Sequence, residues 1–466
     1  MRRTALKVIK FVLRWGIAVG GIWWVVSNTT ISDHMRVLDG ENRPLSVEVL
    51  ELPVAGNSAE EPVYTVRDPR GGRPLRVPQS QTVSRPDRAQ VTVREDGAEK
   101  QVMLLGADID VREQDGRQVA QAKRLLVADN SKAPGRWVSP AEVVGGYRVQ
   151  VPHPRVETGL ASMVRQANRW LLALSVAIFP VTIILTSIRW RRLMRAVDIE
   201  VPLRTALALN MVGMFYNTFI PTGSTGGDVI KAYYVSRHTP HKVRAILTVL
   251  VDRVIGLIVL LMLGGTIALG YYLTSDGNDP AAHACARVAM GSGVLLAMLG
   301  AGLLVLAHHG LRRALGFNWI SARLPMQDFF SKFHETLSMY RKCPRLILWA
   351  MLITVPVHLT VMVAAMIAGK ALHLPLSSGY YFVVVPVAVL AGALPVSPQG
   401  AGVMEFFAIR LTARQGATIA QAFALTLTIR AQQIFWNLLG GIFVLSGHYR
   451  AREASEDSDR HDAAQP

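Results

Sequence analysis

Apolar runs alternate with short basic loops along most of this chain. The long runs fall at residues 11–26, 170–188, 245–273, 288–307, 346–368 and 422–446. A helix needs roughly 20 apolar residues to cross the hydrocarbon core, so these runs predict six membrane spans. The first follows Arg2, Arg3, Lys7 and Lys10 and lacks a small-x-small cleavage pattern after it. It reads as a retained anchor over residues 1–28 in preference to a signal peptide. Two further apolar segments are interrupted. In the first, residues 205–216 lead into Asn217-Thr218-Phe219-Ile220-Pro221-Thr222-Gly223-Ser224-Thr225-Gly226-Gly227-Asp228, and apolar sequence resumes at residues 229–235. In the second, Leu394-Pro395-Val396-Ser397-Pro398-Gln399-Gly400-Ala401-Gly402-Val403-Met404-Glu405 does the same, with Pro395 matching Pro221 and Gly400 matching Gly226.

Proline and clustered glycine break a helix. At membrane depth the freed backbone groups survive only where protein or a wet cavity covers them. Loop charge sets the orientation. Arg189, Arg191, Arg192 and Arg195 precede the first broken segment, and the basic stretch 237–244 follows it, so both of its ends are expected in the cytoplasm. The second, near residues 380–410, then enters and leaves from the outer face. The unit 170–273 maps onto 346–446 in the opposite sense, and interrupted segments in matching places of two halves point to a midplane site. The expected fold is a mainly α membrane protein: a helical bundle with inverted repeats and two re-entrant hairpins, plus a small β-rich extracytoplasmic domain.

That outer domain is expected at residues 29–160. Alternating segments such as Val91-Thr92-Val93 and Ile109-Asp110-Val111 flank Asp-Gly pairs at 39–40, 96–97 and 115–116, a hairpin signature. Sequence between about 57 and 88 is rich in proline and arginine and reads as looser. His34 and His153 are isolated, so a binding or docking module that offers a protein partner a surface is expected rather than a metal or catalytic site. In the loop after residue 307, Phe329, Phe330, Phe333, Leu337 and Tyr340 recur at helical spacing, consistent with an interfacial helix or with one packed on the protein. Residues 450–466 read as a disordered cytoplasmic tail.

Composition agrees with an integral membrane protein, since half of the 466 residues are hydrophobic. The net charge of +17 sits in loops and in the polar insert, which fits positive-inside topology and anionic lipid and gives no reason to invoke nucleic acid. Both termini are placed in the cytoplasm, in the cell (inner) membrane. Cys285 and Cys343 fall on opposite faces of the membrane and are not expected to pair. No phosphate-binding Gly-x-x-x-x-Gly-Lys-Ser/Thr loop, Gly-x-Ser-x-Gly or His-Glu-x-x-His motif occurs, and no cofactor is implied.

Polar residues inside the apolar segments are the candidate site. Gly226-Gly227-Asp228 restarts a half-helix, where free N–H groups and the positive helix end suit an anion, although Asp228 can equally cap its own helix. Arg253 and Arg430 lie inside spans, where a charge costs about 2.5–3.5 kcal/mol on insertion scales without a partner or a wet cavity. Arg253 is expected to meet a ligand phosphate or an acid of the other half such as Glu405, while Asp252 points about 100° away. Arginine suits phosphate through its planar fork. Gln432 and Gln433 flank Arg430. Lys231, Glu405, Ser397, Gln399, Gly400, Gly402 and Asn217 complete the polar set.

The pattern Asn-x-x-x-Pro-x-Gly-x-x-Gly-Gly-Asp at 217–228, then Val251-Asp252-Arg253-Val254-Ile255-Gly256-Leu257, then residues 395–405 and Arg430, resembles the lysylphosphatidylglycerol synthase transmembrane region, a flippase-like family. The likeness covers about 165–449. It implies handling or translocation of a charged lipid, an anionic phospholipid or a polyprenyl-phosphate-type lipid. Full-length aminoacyl-phospholipid synthases carry a large cytosolic catalytic domain after this region, whereas a short tail follows Ser446 here, so aminoacyl transfer is not expected. Two alternatives stay open: a membrane transferase with Asp228 or Glu405 as base, and a scaffold acting through residues 29–160.

Overall fold

A computed structural model describes residues 16, 19–53, 61–69, 71–95, 97–114, 117–130, 133–147, 149, 153–219, 226–275, 279–307, 335–336, 338–393, 397 and 400–446. A helix over residues 19–28 (α1) leads into a β region. Strands β1 (His34–Leu38), β2 (Pro44–Glu51), β3 (Val63–Val66), β4 (Leu75–Pro78), β5 (Thr82–Val83) and β10 (Val156–Glu157) form one antiparallel sheet, ordered β10-β1-β2-β3-β4 with β5 also on β1. Strands β6 (Gln90–Glu95), β7 (Ala98–Gln114), β8 (Arg117–Ala128) and β9 (Arg136–Val138) form a second. Each sheet has its own core, Met35, Val47 and Val66 in one and Val93, Leu104 and Leu125 in the other.

All three Asp-Gly pairs fall where two strands meet in a hairpin. Asp39 Oδ1 accepts from the Glu41 and Arg43 N–H groups (2.9 and 2.7 Å), closing the β1–β2 turn. The β6–β7 register runs to Glu95 opposite Ala98, which leaves two residues for the turn, and Gly97 takes φ +82° there. The β7–β8 register runs to Gln114 opposite Arg117. One expectation is corrected: the stretch thought looser contributes β3, β4 and β5, because Val63-Tyr64-Thr65-Val66 is a β-favouring run that finds a pairing edge on β2.

The membrane region contains α2 (Leu160–Gln166), α3 (Arg169–Ala177), α4 (Pro180–Arg195), α5 (Leu203–Phe219), α6 (Gly226–Ser236), α7 (Lys242–Thr274), α8 (Pro280–Ala307), α9 (Pro344–Ala371), α10 (Tyr381–Ala393), α11 (Val403–Thr412) and α12 (Ile419–Ser446). Among the described residues, four helical stretches are long and apolar enough to cross a bilayer: Arg169–Arg195, Lys242–Thr274, Ala281–Val305 and Pro344–Ala371. The first contains α3 and α4, with Pro180 opening the second piece. The fifth expected crossing, α12, has the length, 28 residues, but Gln421, Arg430, Gln432, Gln433 and Asn437 leave it too polar to join them. The anchor is described only over residues 16 and 19–28, so its full length lies outside what the structure describes.

Four helices are short. At 1.5 Å per residue the 17 residues of α5 and the 11 of α6 reach about 25 and 16 Å, and the 13 of α10 and 10 of α11 about 20 and 15 Å. None reaches the ~30 Å of a hydrocarbon core. The two ends of the α10–α11 unit lie together: the Ser377 N–H donates to Gln415 Oε1 (2.8 Å) and the Tyr380 hydroxyl to the Leu411 carbonyl (3.1 Å). Gln415 also donates to the Tyr271 hydroxyl (2.8 Å), which brings the C-terminus of α7 to that end. The α5–α6 unit is held at the opposite end of the bundle. There Arg244, at the start of α7, pairs with Asp198 just before α5 (3.2 Å), and the Tyr340 hydroxyl donates to the Leu193 carbonyl (2.9 Å). Tyr340 is therefore packed on the protein, while Phe329, Phe330, Phe333 and Leu337 lie outside the described residues.

The two halves interlock. Gly441 of α12 faces the Phe215 ring of α5, where an added Cβ would lie 2.9 Å from Cε2. Gly264 of α7 faces Pro386 of α10, with an added Cβ 2.8 Å from the proline Cβ. Each glycine follows its helix's buried-span arginine, Arg430 or Arg253, by eleven residues. Each short-helix unit thus packs on the long helix of the other half.

Candidate functional site

Both short-helix units present an acid at the same place. Asp228 is the third residue of α6 and Glu405 the third of α11. Arg253 and Arg430 are each the twelfth residue of the following long helix. Arg253 holds Asp228 through two bonds, Nε to Oδ2 at 2.6 Å and Nη2 to Oδ1 at 2.7 Å. Arg430 holds Glu405 likewise, Nε to Oε1 at 2.6 Å and Nη2 to Oε2 at 3.2 Å. Acid and base are 25 residues apart in both pairs. This bidentate geometry is the strong form of a guanidinium–carboxylate contact.

The two arginines line one cavity of about 230 Å³, together with Asn217, Gln432, Gln433, Asn437, Phe179 and Met404. Arg253 uses Nε and Nη2 on Asp228 and its side chain remains 52% exposed, whereas Arg430 is 16% exposed. The cavity therefore offers more of Arg253 than of Arg430. Polar residues bind its wall to the rest of the bundle. Gln432 donates to Ser175 Oγ (2.6 Å) and Asn437 Nδ2 to Thr218 Oγ1 (3.1 Å). Nothing in the sequence alone marks Asn437 or assigns Gln433 a role. Yet Arg430, Gln433 and Asn437 stand at i, i+3 and i+7, the spacing of one helix face.

Several expectations need correction. Arg253 meets Asp228 of its own half, not Glu405, because a half-helix and the long helix after it pack side by side and bring their polar positions together. Both carboxylate oxygens of Asp228 are engaged by Arg253, and the residues preceding α6 lie outside the described residues. The Gly227 N–H is taken by Asn217 Oδ1 (2.6 Å), so this donor is already used within the protein. Glu405 does both jobs, accepting from Arg430 and from the Gly402 N–H (2.8 Å). Asp252 is buried on the other side of its helix, bound by Arg189 Nε (2.8 Å), while Arg189 Nη1 donates to Thr354 Oγ1 (2.6 Å). Arg189 thus serves the core as well as ending a span. Lys231 is buried, with Nζ 3.3 Å from Asn210 Oδ1 and 3.7 Å above the Trp190 ring. Neither Asp252 nor Lys231 lines the cavity.

The glycines shape the units. Gly226 and Gly227 are buried, with Gly227 against the Gly213 carbonyl, and Gly400 (φ +67°) sits against the Gly392 backbone. Ser397 is buried, and its Oγ has no partner among the described residues. Gln399 and residues 220–225 and 394–396 lie outside the described residues. Among the described residues no group of three or more His, Cys, Asp or Glu side chains is placed to hold a metal ion.

Two arginines, each paired with an acid and lining one cavity with neighbouring amides, in a bundle of helices long and apolar enough to cross a membrane, define a polytopic membrane protein with charged groups in its interior. The family model described as the lysylphosphatidylglycerol synthase TM region matches residues 158–441, and the chain belongs to that family of lipid-handling membrane proteins. The match is to the transmembrane region of the synthases and does not include an aminoacyl-transferase domain. No curated protein matches the chain.

Proposed function

We propose that this protein binds the phosphate-bearing headgroup of an anionic lipid between two re-entrant hairpins, α5–α6 and α10–α11, and moves it between leaflets. The observation that carries this reading is the convergence on one cavity of Arg253 and Arg430, two arginines from matching positions of two halves. The hairpin reading is supported by helices too short to cross and by the hydrogen bond that joins the two ends of α10–α11. Inverted repeats are supported by the two acid–arginine pairs of equal spacing and by the reciprocal packing of each hairpin on the other half's long helix. With its basic loops on the cytoplasmic side, the protein would sit in the inner membrane with both termini inside and residues 29–160 outside.

Arg253 is the primary contact. Its Nη1 is engaged by neither bond to Asp228, so a phosphate oxygen can take it while the ion pair persists. Gln433 and Asn437 would add neutral hydrogen bonds, and Arg430 would contribute field more than contact. A transferase using Asp228 or Glu405 as base fits less well, because a guanidinium already engages both oxygens of each acid.

Native purification followed by mass spectrometry of co-purifying lipids tests the headgroup assignment. Wild type should retain an anionic, phosphate-bearing lipid above its membrane abundance, and Arg253→Gln should lose that enrichment. Equal lipid profiles for the two would remove the assignment.

A further inference from the structure

The two halves match in their acid–arginine pairs but not in how well those pairs are covered. Asp228 and Arg253 are 17% and 52% exposed, Glu405 and Arg430 only 5% and 16%. The second pair belongs to a unit on which α1 packs. This helix runs alongside α11 in the same direction, since Gly21 meets Gly402, Trp24 meets Phe406 and Val25 meets Ile409 in succession. At Gly21 the approach is between backbones: a Cβ added there would lie 2.7 Å from Gly402 Cα. The Gly402 N–H is the one that holds Glu405 Oε2, so α1 rests on the residue that positions the second acid. Further along, the Trp24 and Phe406 rings lie 6.3 Å apart, and Val25 is fully buried with Ile409 and Ala422. Among the described residues no equivalent helix covers the restart of α6.

The other end of α1 is fastened to the β region. The Thr30 and Ile31 carbonyls accept from the Leu160 and Ala161 N–H groups (3.1 and 3.0 Å). Asp33 Oδ1 accepts from the Gly159 N–H (2.7 Å), and β1 begins at His34 paired with Glu157 of β10. Only residues 29–33 separate α1 from β1. A displacement of the β region that carries this junction with it also moves the helix lying on Gly402.

We propose that α1 is a latch on the second hairpin: it holds α11 closed over the Glu405–Arg430 pair, and the β region releases it by drawing α1 away. The latch breaks the equivalence of the halves and keeps Arg430 shielded while Arg253 stays open to the cavity. Its release is the step that would admit a ligand to the second pair. The inference rests on the reading of α10–α11 as a hairpin that moves, and not on the identity of the lipid.

The test reports access to the cavity directly. In full-length protein with Cys285 and Cys343 replaced by serine, Gln433→Cys gives a reporter on the cavity wall, labelled with a membrane-impermeant maleimide in sealed vesicles. Trp24→Ala should raise labelling from the β-region side by about fivefold, the scale expected when one aromatic contact is lost from a two-state closure. A Trp24→Cys, Phe406→Cys disulfide without the reporter, in the Cys285→Ser, Cys343→Ser background, should instead arrest lipid movement reversibly, with reductant restoring it. Labelling unchanged by Trp24→Ala would overturn the latch, as would lipid movement that the disulfide leaves intact. If wild type moves no lipid but the labelling responds, the latch stands and the transport reading fails.

Discussion

Arg430 and Glu405 are nearly enclosed, while Arg253 is half exposed, so the two arginines should fail differently when replaced. Removing one partner of a buried pair leaves the other charge uncompensated, at a cost of about 3–5 kcal/mol. Arg430→Ala should therefore lower the thermal unfolding temperature in detergent markedly, and adding Glu405→Gln to it should recover much of the loss. Arg253→Ala should leave that temperature near wild type, because half of the Arg253 side chain is already exposed and an exposed pair contributes little. Equal destabilisation by both would contradict the unequal roles. The sequence disclosed both arginines, since a charge inside an apolar run stands out. It did not disclose their partners, which depend on how neighbouring helices are rotated. Asp252 and Arg253 are adjacent in sequence, yet one meets Arg189 in the core and the other Asp228 beside the cavity.

At the scale of elements, two glycines carry the interlock between halves. Gly264 and Gly441 each admit a bulky neighbour from a short helix of the other half, Pro386 of α10 and Phe215 of α5. Gly441→Leu should push α5 from α12 and strain the Asn437–Thr218 hydrogen bond, and Gly264→Leu should do the corresponding harm to α7 and α10. Both should reduce lipid movement, whereas Gly270→Leu, with nothing within 4 Å of an added Cβ, should be tolerated. Comparable losses from all three would show that the packing is not specific. The broken segments were legible because proline and glycine interrupt apolar sequence so abruptly. The role of α1 was not, because a run after a basic N-terminus looks the same whether it only anchors the chain or also lies on Gly402. Nor was the order of the small strands in residues 57–88, where pairing with β2 outweighed a composition that suggested a loop.

For the molecule as a whole, two antiparallel sheets precede a helical bundle in which two arginines, each paired with an acid, line one cavity. A bundle of long apolar helices with a β-rich region could be read from hydrophobic length and strand alternation alone. The cavity could not, because it exists only where helices from both halves meet. Its chemistry, two cations each balanced by a carboxylate with neutral amides between them, suits a headgroup that must bind and leave again. Tight retention would oppose transport. The most direct measurement is movement of a fluorescent anionic phospholipid between leaflets of sealed vesicles containing the purified protein, compared with Arg253→Gln. Wild type should redistribute the lipid chemically unchanged, and the variant should be slower by at least about tenfold, the loss of one charge-assisted contact. Redistribution at the same rate in both, or no redistribution above protein-free vesicles, would contradict a carrier built around that arginine.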